Sequence, residues 1–153
     1  MAKDFSEIPD TIHDVKDAFI RGVLFARRKL VVNLVVDLAR NTPVDTSKAL
    51  SNWEVGATSS KFSYGTAHVK GKRGSTREAS IALTKAAADR ESSSIPLKDP
   101  VHVGNAAPYI RRLDAGWSKQ RPEPWIERTA RESVIKSAKE LAGELRVSLE
   151  RTT

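Results

Sequence analysis

Apolar residues at Ile12, Val15, Phe19, Val23, Ala26, Leu30, Leu34 and Leu38 recur at three- and four-residue intervals, the spacing that lines one face of an α-helix. No other pattern in the chain restricts its fold so tightly. Asp10 precedes the run as an N-cap candidate, and Asn41-Thr42-Pro43 stops it, because the residue before a proline is pushed out of the helical region. A helix over about residues 10 to 40, rising about 1.5 Å per residue, spans roughly 45 Å, more than the width of a small domain. It must either bend, with Gly22 the natural place, or carry one end beyond its own core. Leu30-Val31-Val32 and Leu34-Val35-Val36 make the distal half apolar on more than one side, which favours projection, and a two-sided apolar helix calls for a second partner. The competing reading buries that half between the protein's own sheet and a C-terminal helix.

After Pro43 the pattern changes. Asp45 is placed to cap a short helical turn through Ser51, and Trp53 and Val55 then alternate with Asn52 and Glu54 as in a strand, with Trp53 anchoring the core. Phe62, Tyr64 and Val69 predict a second, antiparallel strand over residues 61 to 69. Ser75-Thr76-Arg77-Glu78 reads as a capping box opening an alanine-rich helix to about Arg90, ended by Glu91-Ser92-Ser93-Ser94. Val101 and Val103 mark a third strand, and residues 108 to 114 a brief link. Pro124 suits a first helical turn, after which Ile126, Ala130, Val134, Ala138, Leu141, Leu145 and Leu149 predict a second long amphipathic helix. The expected fold is α+β: a small antiparallel sheet bracketed by long N-terminal and C-terminal helices.

At 153 residues, with 39% hydrophobic and 29% charged content, residues 1 to 153 are read as one structural domain. The most apolar run, Leu30 to Val36, is far too short for a bilayer, and the N-terminus is acidic where a signal peptide is basic, so neither membrane insertion nor export is expected. The absence of cysteine removes disulfides and thiolate metal sites and fits a reducing cytoplasm. The 26 basic and 19 acidic residues give a net charge of +7, a field that favours polyanions. Between Lys61 and Arg77 lie Lys70, Lys72 and Arg73 with no carboxylate, and Gly71 and Gly74 loosen the backbone. This basic loop is either a solvated tip or a contact for nucleic-acid phosphates or an acidic protein surface.

Chemistry is harder to place. His13, His68 and His102 fall on separate predicted elements, with His102 facing outward between two inward valines. No His-Glu-x-x-His, Gly-x-Ser-x-Gly or glycine-rich phosphate loop occurs, so the chain reads as non-enzymatic, with no cofactor and no metal expected. Trp117 and Trp125 flank Ser118-Lys119-Gln120-Arg121-Pro122-Glu123-Pro124, a segment open to three readings: packing of the loop onto the sheet, a protein interface, or base stacking.

Pro43-Val44-Asp45-Thr46 with Leu50-Ser51 and Trp53, a Val101-His102-Val103-Gly104-Asn105 strand, Pro108-Tyr109, Leu113, and Gly116-Trp117-Ser118-Lys119-Gln120 with Pro122 together resemble the tail-completion or neck proteins of long-tailed, lambdoid-type bacteriophages. The resemblance covers roughly residues 10 to 140. Three positions depart from the pattern: Ser47 stands where glycine is usual, Ala115 where an aromatic is common, and Pro124-Trp125 where glycine and an apolar residue are usual.

The resemblance implies a structural subunit, assembled in the bacterial host cytoplasm, that forms a homo-oligomeric ring at the virion neck between the head connector and the tail-terminator or tail-tube proteins. Sixfold tail symmetry implies a hexamer, with a dodecamer as the alternative. On this expectation the subunit interface falls on Leu30, Val31, Val32, Val35, Val36, Trp117 and Trp125. The polyanion contact, including nonspecific contact with genomic DNA, falls on Lys70, Lys72 and Arg73. Val32→Asp is then expected to leave the fold intact while abolishing assembly. The rival is a basic nucleic-acid-binding module, which the net charge favours and the lack of a reading helix opposes. A toxin-like hydrolase would need a histidine-dependent activity that no residue set in the chain suggests.

Overall fold

The computed structural model describes residues 8–59 and 62–150. Asp10 as a cap, Lys61 in the basic loop, and Leu145 and Leu149 on the last helix fall outside the described side chains. The elements run α1 (Ile8–Asn41), a 3-10 turn (Leu50–Asn52), β1 (Trp53–Gly56), α2 (Arg77–Ser94), β2 (His102–Asn105), α3 (Ile110–Asp114) and α4 (Ile126–Glu150). The fold is α+β: long first and last helices around a two-stranded antiparallel sheet. β1 and β2 pair in the register Trp53↔Asn105, Glu54↔Gly104, Val55↔Val103 and Gly56↔His102.

The distal half of α1 lies at the centre. Val31, Val35, Leu38 and Ala39 join Val44, Leu50, Trp53, Val55, Ile81, Ala88, Ile95 and Trp125 in the core. α2 holds one flank of α1 through the Arg28–Asp89 ion pair, and Arg27 donates to the carbonyls of Ile95, Pro96 and Asp99 just past the end of α2. A guanidinium there gathers the carbonyls of the turn that follows the helix and fixes it against α1. α4 holds the other flank, with Asn33 Nδ2 donating to Ser137 Oγ at 3.1 Å and Lys29 paired with Glu144. Both partners of the two-sided apolar segment are therefore supplied by its own chain.

This corrects the expected interface. Val31, Val32 and Val35 are buried, Val35 completely, and Val36 is partly buried against the same core, with Leu30 half-buried beside it. Trp125 is also sealed, its ring set edge-on to Trp53 with centroids 6.3 Å apart. Of the seven residues, only Trp117 is freely exposed, at 74%.

α4 shows a second difference. Its buried positions are Thr129, Ser133 and Ser137, continuing by fours from Trp125 just before its start, whereas Val134, Ile135 and Ala138 face outward. Small hydroxyl side chains let α4 approach α1 closely, and the predicted apolar stripe lies one residue round the helix from the contact.

The predicted strand over 61 to 69 does not form among the described residues. Side chains take the place of a ladder: Asn52 Oδ1 accepts from Gly65 N at 2.7 Å, Ser51 Oγ from His68 N at 3.1 Å, and Ser80 Oγ from Val69 N at 3.3 Å. Phe62 packs against β2, where a Cβ on Gly104 would meet its ring at 2.5 Å. The capping box is also absent. Thr76 makes no cap bond, because its hydroxyl donates to Val69 O at 2.9 Å and lies 3.0 Å from Ser47 Oγ. α2 continues through Ser94, since Ser92, Ser93 and Ser94 bond back to carbonyls three residues earlier.

α4 is started by a distant carboxylate. Asp114 Oδ1 accepts from Trp125 N and Ile126 N, both at 2.9 Å, two of the amides that a helix start leaves without partners. Asp114→Ala is expected to lower stability by about 1–2 kcal/mol, the value of a lost N-cap, readable as a shift in the urea midpoint at unchanged slope.

Candidate functional site

Two surfaces stand out once the core is assigned. The first is the leading half of α1. Because Asn33 lies opposite Ser137 and Lys29 opposite Glu144, α1 and α4 run antiparallel, and Glu150 comes level with about residue 21. α2 ends near Arg27. The α1 turns before about residue 21, from Ile8 on, pass both neighbours and extend for roughly 20 Å. On this arm Ile12, Val15 and Phe19 form an exposed stripe with three- and four-residue spacing, Phe19 at 71% exposure, and Phe25 adds a second exposed ring. Projection is thus a property of the N-terminal end of α1, not of the distal half. The antiparallel match of a 34-residue helix to a 25-residue one is the signal that finds it, and periodicity alone does not carry that information.

The second surface is a layer of loops around the Pro43–Lys48 segment. Gln120 fastens one side of it: its side-chain amide donates to Val44 O and its carbonyl accepts from Val44 N, both at 2.9 Å. Gly116 makes that loop possible, at φ +83 with Pro122 O only 2.2 Å from where a Cβ would stand. Asp45 fastens the other side, its carboxylate accepting from Arg73 N at 3.1 Å and its carbonyl from Gly74 N at 2.8 Å. Asp45 therefore anchors the basic loop instead of capping a helix. Arg73 and Gly74 both have positive φ, which turns the loop sharply and leaves Lys70, Lys72 and Arg73 exposed, as expected of them.

Aromatic and basic side chains cover this layer. The Lys48 ammonium lies 4.2 Å over the Tyr64 ring, Tyr64 meets Tyr109 edge-on at 6.2 Å, and the Arg112 guanidinium lies 5.3 Å from the Trp117 ring centre. Lys48 lowers the Tyr64 pKa, whereas desolvation first, and then Tyr64 itself, pushes Tyr109 up to about 12. Sequence reasoning singled out Lys70, Lys72, Arg73 and Trp117, read Tyr64 as a strand residue and Tyr109 as part of a motif, and gave Lys48 and Arg112 no role at this surface.

The charge distribution is uneven. Residues 42–76 and 104–122, the loop layer with β1 and α3, hold nine basic and three acidic residues, so they carry six of the seven net positive charges. The helical remainder is almost neutral. All ion pairs among the described residues lie on or beside α1, α2 and α4. The three acids of the loop layer, Asp45, Glu54 and Asp114, each accept from backbone amides.

His13 lies on the exposed arm and His102 is exposed on β2, while His68, its pKa lowered by partial burial, borders an open cleft of about 500 Å³ with Trp53, Phe62 and Glu91. Among the described residues no three histidine or carboxylate side chains converge as a metal site, and no helix is long and apolar enough to cross a membrane. Compared with protein-family models, curated proteins and solved structures, the chain finds no match in any of the three.

Proposed function

We propose that this protein is a structural virion subunit that assembles as a ring at the head-tail junction of a long-tailed bacteriophage, joining the head connector to the tail. The observation that carries this reading is the projecting half of α1, whose Ile12, Val15 and Phe19 are exposed and without an apolar cover among the described residues. An apolar stripe on a rigid arm suits a head-to-tail contact that passes from copy to copy and closes by rotation.

The resemblance gains support from two details. Its two motif blocks, far apart in sequence, are in direct contact through Gln120 and Val44. Ser47, which stands where the resembled family has glycine, has φ 60, the left-handed conformation that glycine adopts at least cost. The mass of the purified chain, measured alone and with head-connector and tail-terminator proteins, tests the proposal. A closed hexamer is expected, with a dodecamer as the alternative closed form; a monomer that joins neither component would overturn it.

A further inference from the structure

The loop layer has no part in the apolar arm, yet it concentrates almost all of the molecule's excess charge. We infer that this face binds the phosphate backbone of nucleic acid without reading its sequence, through Lys48, Lys70, Lys72, Arg73, Arg112 and Lys119. This inference does not depend on the assembly reading.

The Pro43–Lys48 segment is tied on one side to the loop bearing Lys70, Lys72 and Arg73, by Asp45, and on the other to the loop bearing Lys119, by Gln120. Lys48 belongs to the segment itself, and Arg112 borders the Gln120 loop over Trp117. Six cations from four stretches of chain are thereby connected on one framework.

None of the six enters an ion pair among the described residues. Unpaired cations on a face whose few carboxylates are occupied by backbone amides generate a positive field over the whole surface. Two features favour phosphate over an acidic protein. Four of the six are lysines, a residue depleted from protein interfaces, and among the described residues the exposed large apolar side chains on this face are Trp117 and Tyr64. Lysine ammoniums on flexible stems suit point contacts with successive phosphates, which need charge and reach but no fixed fork. The fixed turn at Arg73 and Gly74, held by both the carboxylate and the carbonyl of Asp45, keeps the densest part of the cluster in place.

Fluorescence anisotropy of the full chain with a labelled mixed-sequence duplex tests this. Between about 50 and 200 mM salt, six phosphate contacts predict an affinity loss of about a thousandfold and a log-log slope near −5. The triple change Lys70→Gln, Lys72→Gln and Arg73→Gln should make that slope shallower by about 2.7 and weaken binding at least about tenfold at the lower salt. The same charge removed from α4, by Arg128→Gln, Lys136→Gln and Lys139→Gln, should change the slope by less than about 1. Circular dichroism of both variants establishes that the fold is intact. Equal losses from the two triple variants would overturn the inference by showing that net charge alone acts. Absence of salt-dependent binding, or displacement of the duplex by polyglutamate at matched charge, would also overturn it, the last in favour of an acidic protein ligand.

Discussion

Trp125→Ala is expected to destabilise the protein by about 3–5 kcal/mol, a large share of the stability of a domain this size. The ring is 0% exposed, stands at 77° to Trp53, and sends its Nε1 to Leu113 O at 3.4 Å. Trp53 is fixed in turn by donating to Thr42 Oγ1 at 2.9 Å, so the pair has no freedom to close over a void. Thr42, itself fully buried at the end of α1, would lose its support as well. The cost combines lost burial, lost edge-to-face contact and a cavity that close-packed neighbours cannot fill. Denaturant melts should show a lower midpoint with the slope retained. Trp117→Ala provides the contrast: although equally large, that ring is exposed and touches mainly Arg112, so its removal should change stability by less than about 0.5 kcal/mol.

The second large effect concerns assembly and reverses an expectation drawn from sequence. Val32 is buried at the seam of α1 with its neighbours, and an aspartate there would hold a carboxylate without a partner, a penalty of several kcal/mol that marginal stability does not tolerate. Val32→Asp should therefore unfold the subunit. Val15→Asp with Phe19→Asp places two such charges on the exposed arm and should preserve the far-ultraviolet circular dichroism and the denaturation midpoint while removing the high-mass species. Light scattering and melting curves on both variants separate the outcomes. A folded Val32→Asp protein, or a ring that survives the arm substitutions, would place the contact elsewhere.

Much of the architecture is legible in the residues themselves. The spacing of Ile12 to Leu38 locates α1 to within two or three residues of Ile8–Asn41, Pro124 marks the start of α4 at Ile126, and Val101-His102-Val103 locates β2. The misreadings share a cause. Periodicity identifies an apolar face but not what covers it, so the doubly apolar stretch around Val32 reads either as projecting or as buried against the sheet and a C-terminal helix, and the fold takes the second course, with α2 as a further partner. On α4 the apolar stripe and the Thr129-Ser133-Ser137 stripe are offset by one residue, and close approach selects the hydroxyls. The predicted strand at 61 to 69 is lost to Asn52, Ser51 and Ser80, whose side chains take up the backbone groups a ladder would use. For the candidate surfaces, Lys70, Lys72 and Arg73 are visible as a run of charge. Lys48 is not, because Tyr64 lies far along the chain, and Arg112, although close in sequence to Trp117, is hidden by its place in a brief link.

The hydroxyl-lined seam has a mechanical consequence. Thr129, Ser133 and Ser137 remove little greasy area from water, and Ser133 Oγ finds no hydrogen-bond partner among the described residues, so this stretch of the seam contributes far less than the tryptophan pair. The terminal rod is thus bolted to the hub at its Trp125 end and only lightly glued along the rest of its length, where the Asn33–Ser137 and Lys29–Glu144 contacts supplement a seam poor in apolar area.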